Sequence, residues 1–146
     1  MLAALSATAL LLSGLGAEAP ARANANGIPA YVDGYAKWPR LNRAPIPAGS
    51  SAHRGTKNVY ASKRKTRARY PVGTIVVKAG MEPGKKWLSL IAAMRKVKGT
   101  ANGGWRWEEF TRSSPTERFS KVGFPESGCA ACHAQAKSND YVFTRR

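Results

Sequence analysis

The sequence predicts one domain that mixes β-strands with helical turns, and three stretches of chain carry that expectation. Residues 74–77 (Thr-Ile-Val-Val) form a largely β-branched run between Pro71 and Gly80, the clearest strand signal present. Residues 87–97 and 105–110 flank a Gly-rich turn at 98–104, which is the pattern of a hairpin. Residues 28–42 place Tyr31, Val32, Tyr35 and Trp38 at helical spacing. A chain of 146 residues is sized for one compact domain rather than two.

Taken in order, residues 2–16 are an uncharged run of small and apolar side chains, too short for a membrane span. Small-x-small sites follow at Ala17–Ala19 and Ala21–Ala23, so residues 1–23 are expected to be a secretory leader and residues 24–146 the single mature domain. No stable membrane span is expected after processing. The 28–42 segment fits one amphipathic turn-and-a-half ended by Pro39. Residues 43–56 are rich in Pro, Gly and Ser and are expected to loop, and residues 58–62 are a short strand candidate. Five of the seven residues at 63–69 are basic, which by default marks a solvated loop or edge. In the strand over 70–80, alternation puts Thr74, Val76 and Lys78 on one face and Ile75 and Val77 on the other. Residues 87–97 carry Trp87, Leu90, Ile91, Met94 and Val97 at helical spacing, so periodicity by itself predicts a helix there.

Composition narrows the partners. With 43% apolar and 22% charged residues the chain is globular, and 24 basic against 8 acidic residues give a net charge of +16. Such a balance favours an anionic partner, whether protein, membrane surface or polyanion, and for a redox protein an acidic electron-transfer protein. Nucleic acid is not expected, because the basic run lacks interleaved aromatics and the chain reads as exported. Two Cys and two His exclude a disulfide-dense scaffold and a Cys/His zinc tetrad.

The chemistry is concentrated in Cys129-Ala130-Ala131-Cys132-His133. C-x-x-C-H is the sequence for covalent attachment of haem c. Two thiols separated by two residues reach the two vinyl groups of one porphyrin edge, and the following His is then held beneath the iron. A thiol redox pair would sit in a βαβ pattern, which is absent, and a zinc site would lack further ligands. One haem per chain leaves a second axial position. His53, Met81 and Met94 are the candidates to fill it, and an open site is the preferred reading.

The residues also resemble the cytochrome P-460 and cytochrome c′-beta family of exported mono-haem proteins. The resemblance runs through the aromatic segment ending at Trp38, His53-Arg54-Gly55 with Asn58-Val59-Tyr60-Ala61, and Pro71 through Lys78. It continues through Met94 to Gly99, Gly104-Trp105-Arg106-Trp107, the haem motif, and Asp140-Tyr141-Val142-Phe143-Thr144. It implies an α+β fold, mainly antiparallel β-sheet with a few helices, commonly homodimeric, in which residues 87–97 are a strand. It implies a lysine bonded to the porphyrin edge, at the position of Lys78, in a haem protein that oxidises hydroxylamine or transforms nitric oxide. In the c′-beta branch the haem is not cross-linked and an apolar pocket binds nitric oxide or carbon monoxide. Ala79-Gly80 stands here where the family usually has an acidic residue after the lysine.

Three further residues are site candidates. Lys57 falls where the family can place a basic distal residue, although solvent exposure is the plainer reading. Glu126 is read either as a proton relay near the iron or as a loop carboxylate. Phe124 is read as an apolar distal wall or as core. Trp105 and Trp107 alternate onto one face and read as core. A six-coordinate electron carrier is the third functional class considered.

Overall fold

The computed structural model describes residues 22–49, 53–99 and 101–144. The expected leader, residues 1–23, therefore lies outside the described residues except for its last two. Five strands form one antiparallel sheet in chain order: β1 (Lys57–Ala61), β2 (Ile75–Met81), β3 (Leu88–Lys96), β4 (Trp105–Thr111) and β5 (Ser120–Lys121). An α-helix, α1 (Glu126–His133), follows the sheet and runs on into a 3-10 segment, Ala134–Asn139. This is the α+β architecture, dominated by antiparallel sheet, that the resemblance implies.

The strand signals map well. The β-branched run opens β2, and its alternation holds: Val76 joins one core while Val77 and Ala79 join the other. The predicted hairpin is the β3–β4 pair, with Lys96 opposite Trp105 at its closed end. The helix predicted over 87–97 is a strand instead. β3 is central, flanked by β2 and β4 and buried at Ile91 and Ala93 on one face and Leu90 and Met94 on the other. A strand apolar on both faces loses its period of two, and helical spacing then arises by coincidence.

The helical segment at 28–42 is likewise revised. It forms two 3-10 turns, Ala30–Val32 and Tyr35–Lys37, separated by Gly34 in the left-handed conformation (φ +71°). Asp33 before it is extended, so no α-turn bridges the two pieces. The apolar side chains still do what their spacing requires, because Ile28 and Val32 cover one face of the sheet. The basic stretch 63–69 is exposed except for half-buried Lys65, whose Nζ donates to the Asn139 carbonyl at 3.1 Å.

The sheet thus separates two apolar layers. One packs Val32, Val77, Ile91, Phe110 and Phe119, and the other packs Val59, Val76, Met94, Trp105 and Trp107 beneath Ala130 and Val142. Each fully buried aliphatic side chain contributes about 1.5–3 kcal/mol. The second layer is incomplete: a cavity opens between the sheet and α1, and it carries the site. Among the described residues no helix is long and apolar enough to cross a membrane.

Candidate functional site

α1 presents Cys129, Cys132 and His133 at positions i, i+3 and i+4, which places them on one helix face. Its entry is pinned by Glu126 in the first turn. That carboxylate accepts from the Trp107 backbone N–H at 3.0 Å and from Arg106 Nε at 2.9 Å, which clamps the helix to β4. Phe124 packs its ring tip over Gly128, where a Cβ would lie 2.3 Å from the ring. Both thiols are free.

His133 is 8% exposed, with its ring against Trp107 (centroids 5.7 Å apart) and Phe143 (5.3 Å). Its Nδ1 lies 2.7 Å from the Tyr141 carbonyl oxygen. A carbonyl only accepts, so Nδ1 carries the proton and Nε2 keeps its lone pair free for a ligand. Burial lowers the imidazole pKa to about 4, the Tyr141 carbonyl opposing and the Lys78 and His53 charges assisting. The ring is therefore neutral, the form that binds metal.

The cavity has a volume of about 630 Å³, within the roughly 300–1,000 Å³ of small-molecule and cofactor sites. Its lining is largely apolar and includes Val59, Val76, Met94, Val142 and Phe143, with Cys129, Cys132 and His133 on the helix side. Its polar lining away from the thiols and His133 includes Lys78 on β2, Glu109 on β4 and His53 from the loop before β1. His53 Nδ1 and Glu109 Oε2 are 3.0 Å apart. Lys78 is 8% exposed, and burial, with the nearby Lys57 charge, lowers its pKa to about 8, Glu109 acting in the opposite direction. A fraction of the amine is then neutral near physiological pH.

The sequence-predicted residues fall into two groups. Lys78, Cys129, Cys132, His133 and Phe124 all line the cavity, although Phe124 is 62% exposed. Met94 and His53 line it too, whereas Met81 ends β2 opposite Leu88 and does not. Glu126 borders a different, smaller cavity and is committed to β4. Lys57 is not solvent-facing: it is fully buried, and its Nζ donates to the carbonyls of Gly55 (2.7 Å) and His53 (2.8 Å). It stands behind the cavity wall and bears on Lys78 through charge alone. Glu109 was missed as a site carboxylate, yet the alternation of Trp105, Trp107 and Glu109 on one face could have found it.

These groups fit a haem. Among the described residues no cluster of three or more His, Cys, Asp or Glu side chains could hold a bare metal ion, so iron bound here would need a macrocycle to supply its other ligands. A neutral His aims one free nitrogen from a helix that also offers two unpaired thiols. Trp107 Nε1, buried on the cavity wall, has no hydrogen-bond partner among the described residues, as expected of a donor meant for a bound group. Cys129 and Cys132 would form the covalent anchors, and His133 Nε2 would bind the iron, which supplies redox and ligand-binding chemistry.

Fold and site together define a haem-binding cytochrome. The family model described as Cytochrome P460 matches residues 32–144, and the chain belongs to that family. Haem and iron come with that membership. No curated protein matches the chain.

Proposed function

We propose that the chain is an exported, periplasmic, mono-haem c-type cytochrome with an open distal iron position, which oxidises hydroxylamine or transforms nitric oxide and passes electrons to an acidic protein partner. One observation carries the reading: a buried lysine, Lys78, shares the cavity of the attachment thiols and His133. Among the described residues Lys78 forms no ion pair, and a buried cation so placed is costly and calls for a function. Bonding of Nζ to the porphyrin edge removes one hydrogen from nitrogen and one from carbon. This is a two-electron oxidation, for which dioxygen or a peroxide is the oxidant. Glu109, facing the same cavity, is positioned to accept protons released from a hydroxylamine substrate, and His53 to relay them outward.

A second reading is favoured by the apolar lining of Val59, Val76 and Met94: capture of nitric oxide or carbon monoxide without turnover, in the manner of the c′-beta branch. Mass spectrometry of the purified holoprotein separates the two. A haem peptide that contains Lys78 as well as Cys129 and Cys132 supports the first reading, whereas haem held by the two cysteines alone, with no hydroxylamine oxidation, supports the second. Sharp low-spin optical bands would instead indicate a six-coordinate carrier.

A further inference from the structure

Behind His133 the chain makes an unusual turn. Asp140 (φ +53°) and Tyr141 (φ +64°) are consecutive non-glycine residues in the left-handed region, which Asp visits singly but which is costly for a bulky residue such as Tyr and rare for two in succession. Four contacts hold it. Lys96 Nζ donates to the Asp140 carboxylate at 2.7 and 3.0 Å, the Tyr70 backbone N–H donates to the same carboxylate at 2.8 Å, and Trp105 Nε1 donates to the Asp140 carbonyl at 2.8 Å. Lys96 and Asp140 are only 7% and 6% exposed. The Tyr141 ring is seated on Gly103, where a Cβ would lie 2.5 Å from it. The product of this turn is the Tyr141 carbonyl, 2.7 Å from His133 Nδ1.

We infer that the buried Lys96–Asp140 ion pair is a positioning device for His133: it holds the left-handed turn that presents the Tyr141 carbonyl to Nδ1, and through that hydrogen bond sets the donor strength of Nε2. The inference rests on reading His133 as the axial ligand. A buried ion pair is weak evidence for stability, since apolar replacements of similar volume often serve as well. Its contribution here is orientation. Hydrogen bonding at the ring nitrogen that does not bind metal raises the basicity of the one that does, and partners one shell removed control that bond.

The test uses the haem-loaded protein. Asp140→Asn keeps the shape and an acceptor for the Tyr70 N–H but loses the charge, and Lys96→Met/Asp140→Asn removes both charges and leaves no lone buried ion. In both, the resonance Raman iron–histidine band of the ferrous protein is expected to move to lower frequency and the reduction potential to rise. Haem-loaded variants that keep the band and the potential of the unaltered protein would overturn the inference, whatever their melting temperatures. Should neither variant load haem, the unaltered protein decides. In its diamagnetic ferrous carbon monoxide form the His133 Nδ1 proton is expected to exchange slowly with solvent, and fast exchange overturns the inference. Absence of an iron–histidine band from unaltered protein whose ferrous haem is five-coordinate and high-spin would defeat the axial assignment itself.

Discussion

His53 Nδ1 and Glu109 Oε2 stand 3.0 Å apart on the wall of the cavity, which joins a loop imidazole to a strand carboxylate beside Lys78. The pair links the cavity to the partly exposed side of the protein, since the two side chains are 18% and 27% exposed. In the proposed reaction a carboxylate so placed would exchange protons with a bound substrate and with water. Glu109→Gln is expected to lower kcat for hydroxylamine oxidation by about 10²-fold or more with little change in KM, and to leave nitric oxide affinity intact. Steady-state rates and a gas titration check it, and an unchanged kcat would remove Glu109 from the chemistry.

Lys78 sets a pH dependence. Its folded-state pKa is lowered to about 8 from a model-peptide value near 10.4, so the protonated amine is disfavoured by the fold. Stability contributed by the neutral form is complete above the unfolded value and is lost as pH falls through about 8. Only the neutral amine is a nucleophile. The yield of the Lys78–porphyrin bond in freshly matured protein is therefore expected to rise with pH, with a midpoint near 8, as counted by mass spectrometry of haem peptides. A yield independent of pH between 6 and 9 would contradict the assignment.

Lys57, also buried, behaves differently. Its ammonium donates to three backbone carbonyls, Pro47, His53 and Gly55, and burial lowers its pKa. Lys57→Met leaves those acceptors unmatched and is expected to cost about 1–3 kcal/mol, read by thermal denaturation. Because the Lys57 charge depresses Lys78, the same variant should shift the midpoint of bond formation upward. The optical spectrum of correctly loaded protein should not change.

A net charge of +16 would make association with the proposed acidic electron acceptor salt-dependent. The association rate is expected to fall as ionic strength rises from 0.01 to 0.15 M, a range over which the screening length shrinks from about 30 to about 8 Å. Stopped-flow electron transfer measures it, and a flat dependence would remove the acidic partner.

Much of the fold was legible because its strands are chemically marked. The β-branched run became β2 and the Gly-rich turn became the β3–β4 connection, since both signals are local. β3 was misread by periodicity because a central strand buried on both faces erases its own pattern, and only family resemblance corrected it. The thiols and His133 were legible because the attachment motif is contiguous. Lys78 followed from alternation and resemblance together. For Glu109 alternation records the face but not the partner, because it meets His53 from a strand 56 positions away. Glu126 shows the reverse error: proximity in sequence to Cys129 pointed toward iron, while its carboxylate turns to β4.

Every strand of the sheet pairs with its neighbour in the chain, so the ladder closes without help from residues 126–144. The helix and the tail beyond it are held by distant bonds, from Lys65, Tyr70 and Lys96. Short-range pairing forms quickly and long-range docking later. For the proposed covalent haem, this order would let the paired strands form while Cys129 and Cys132 stay accessible, and docking of the tail would close the pocket last.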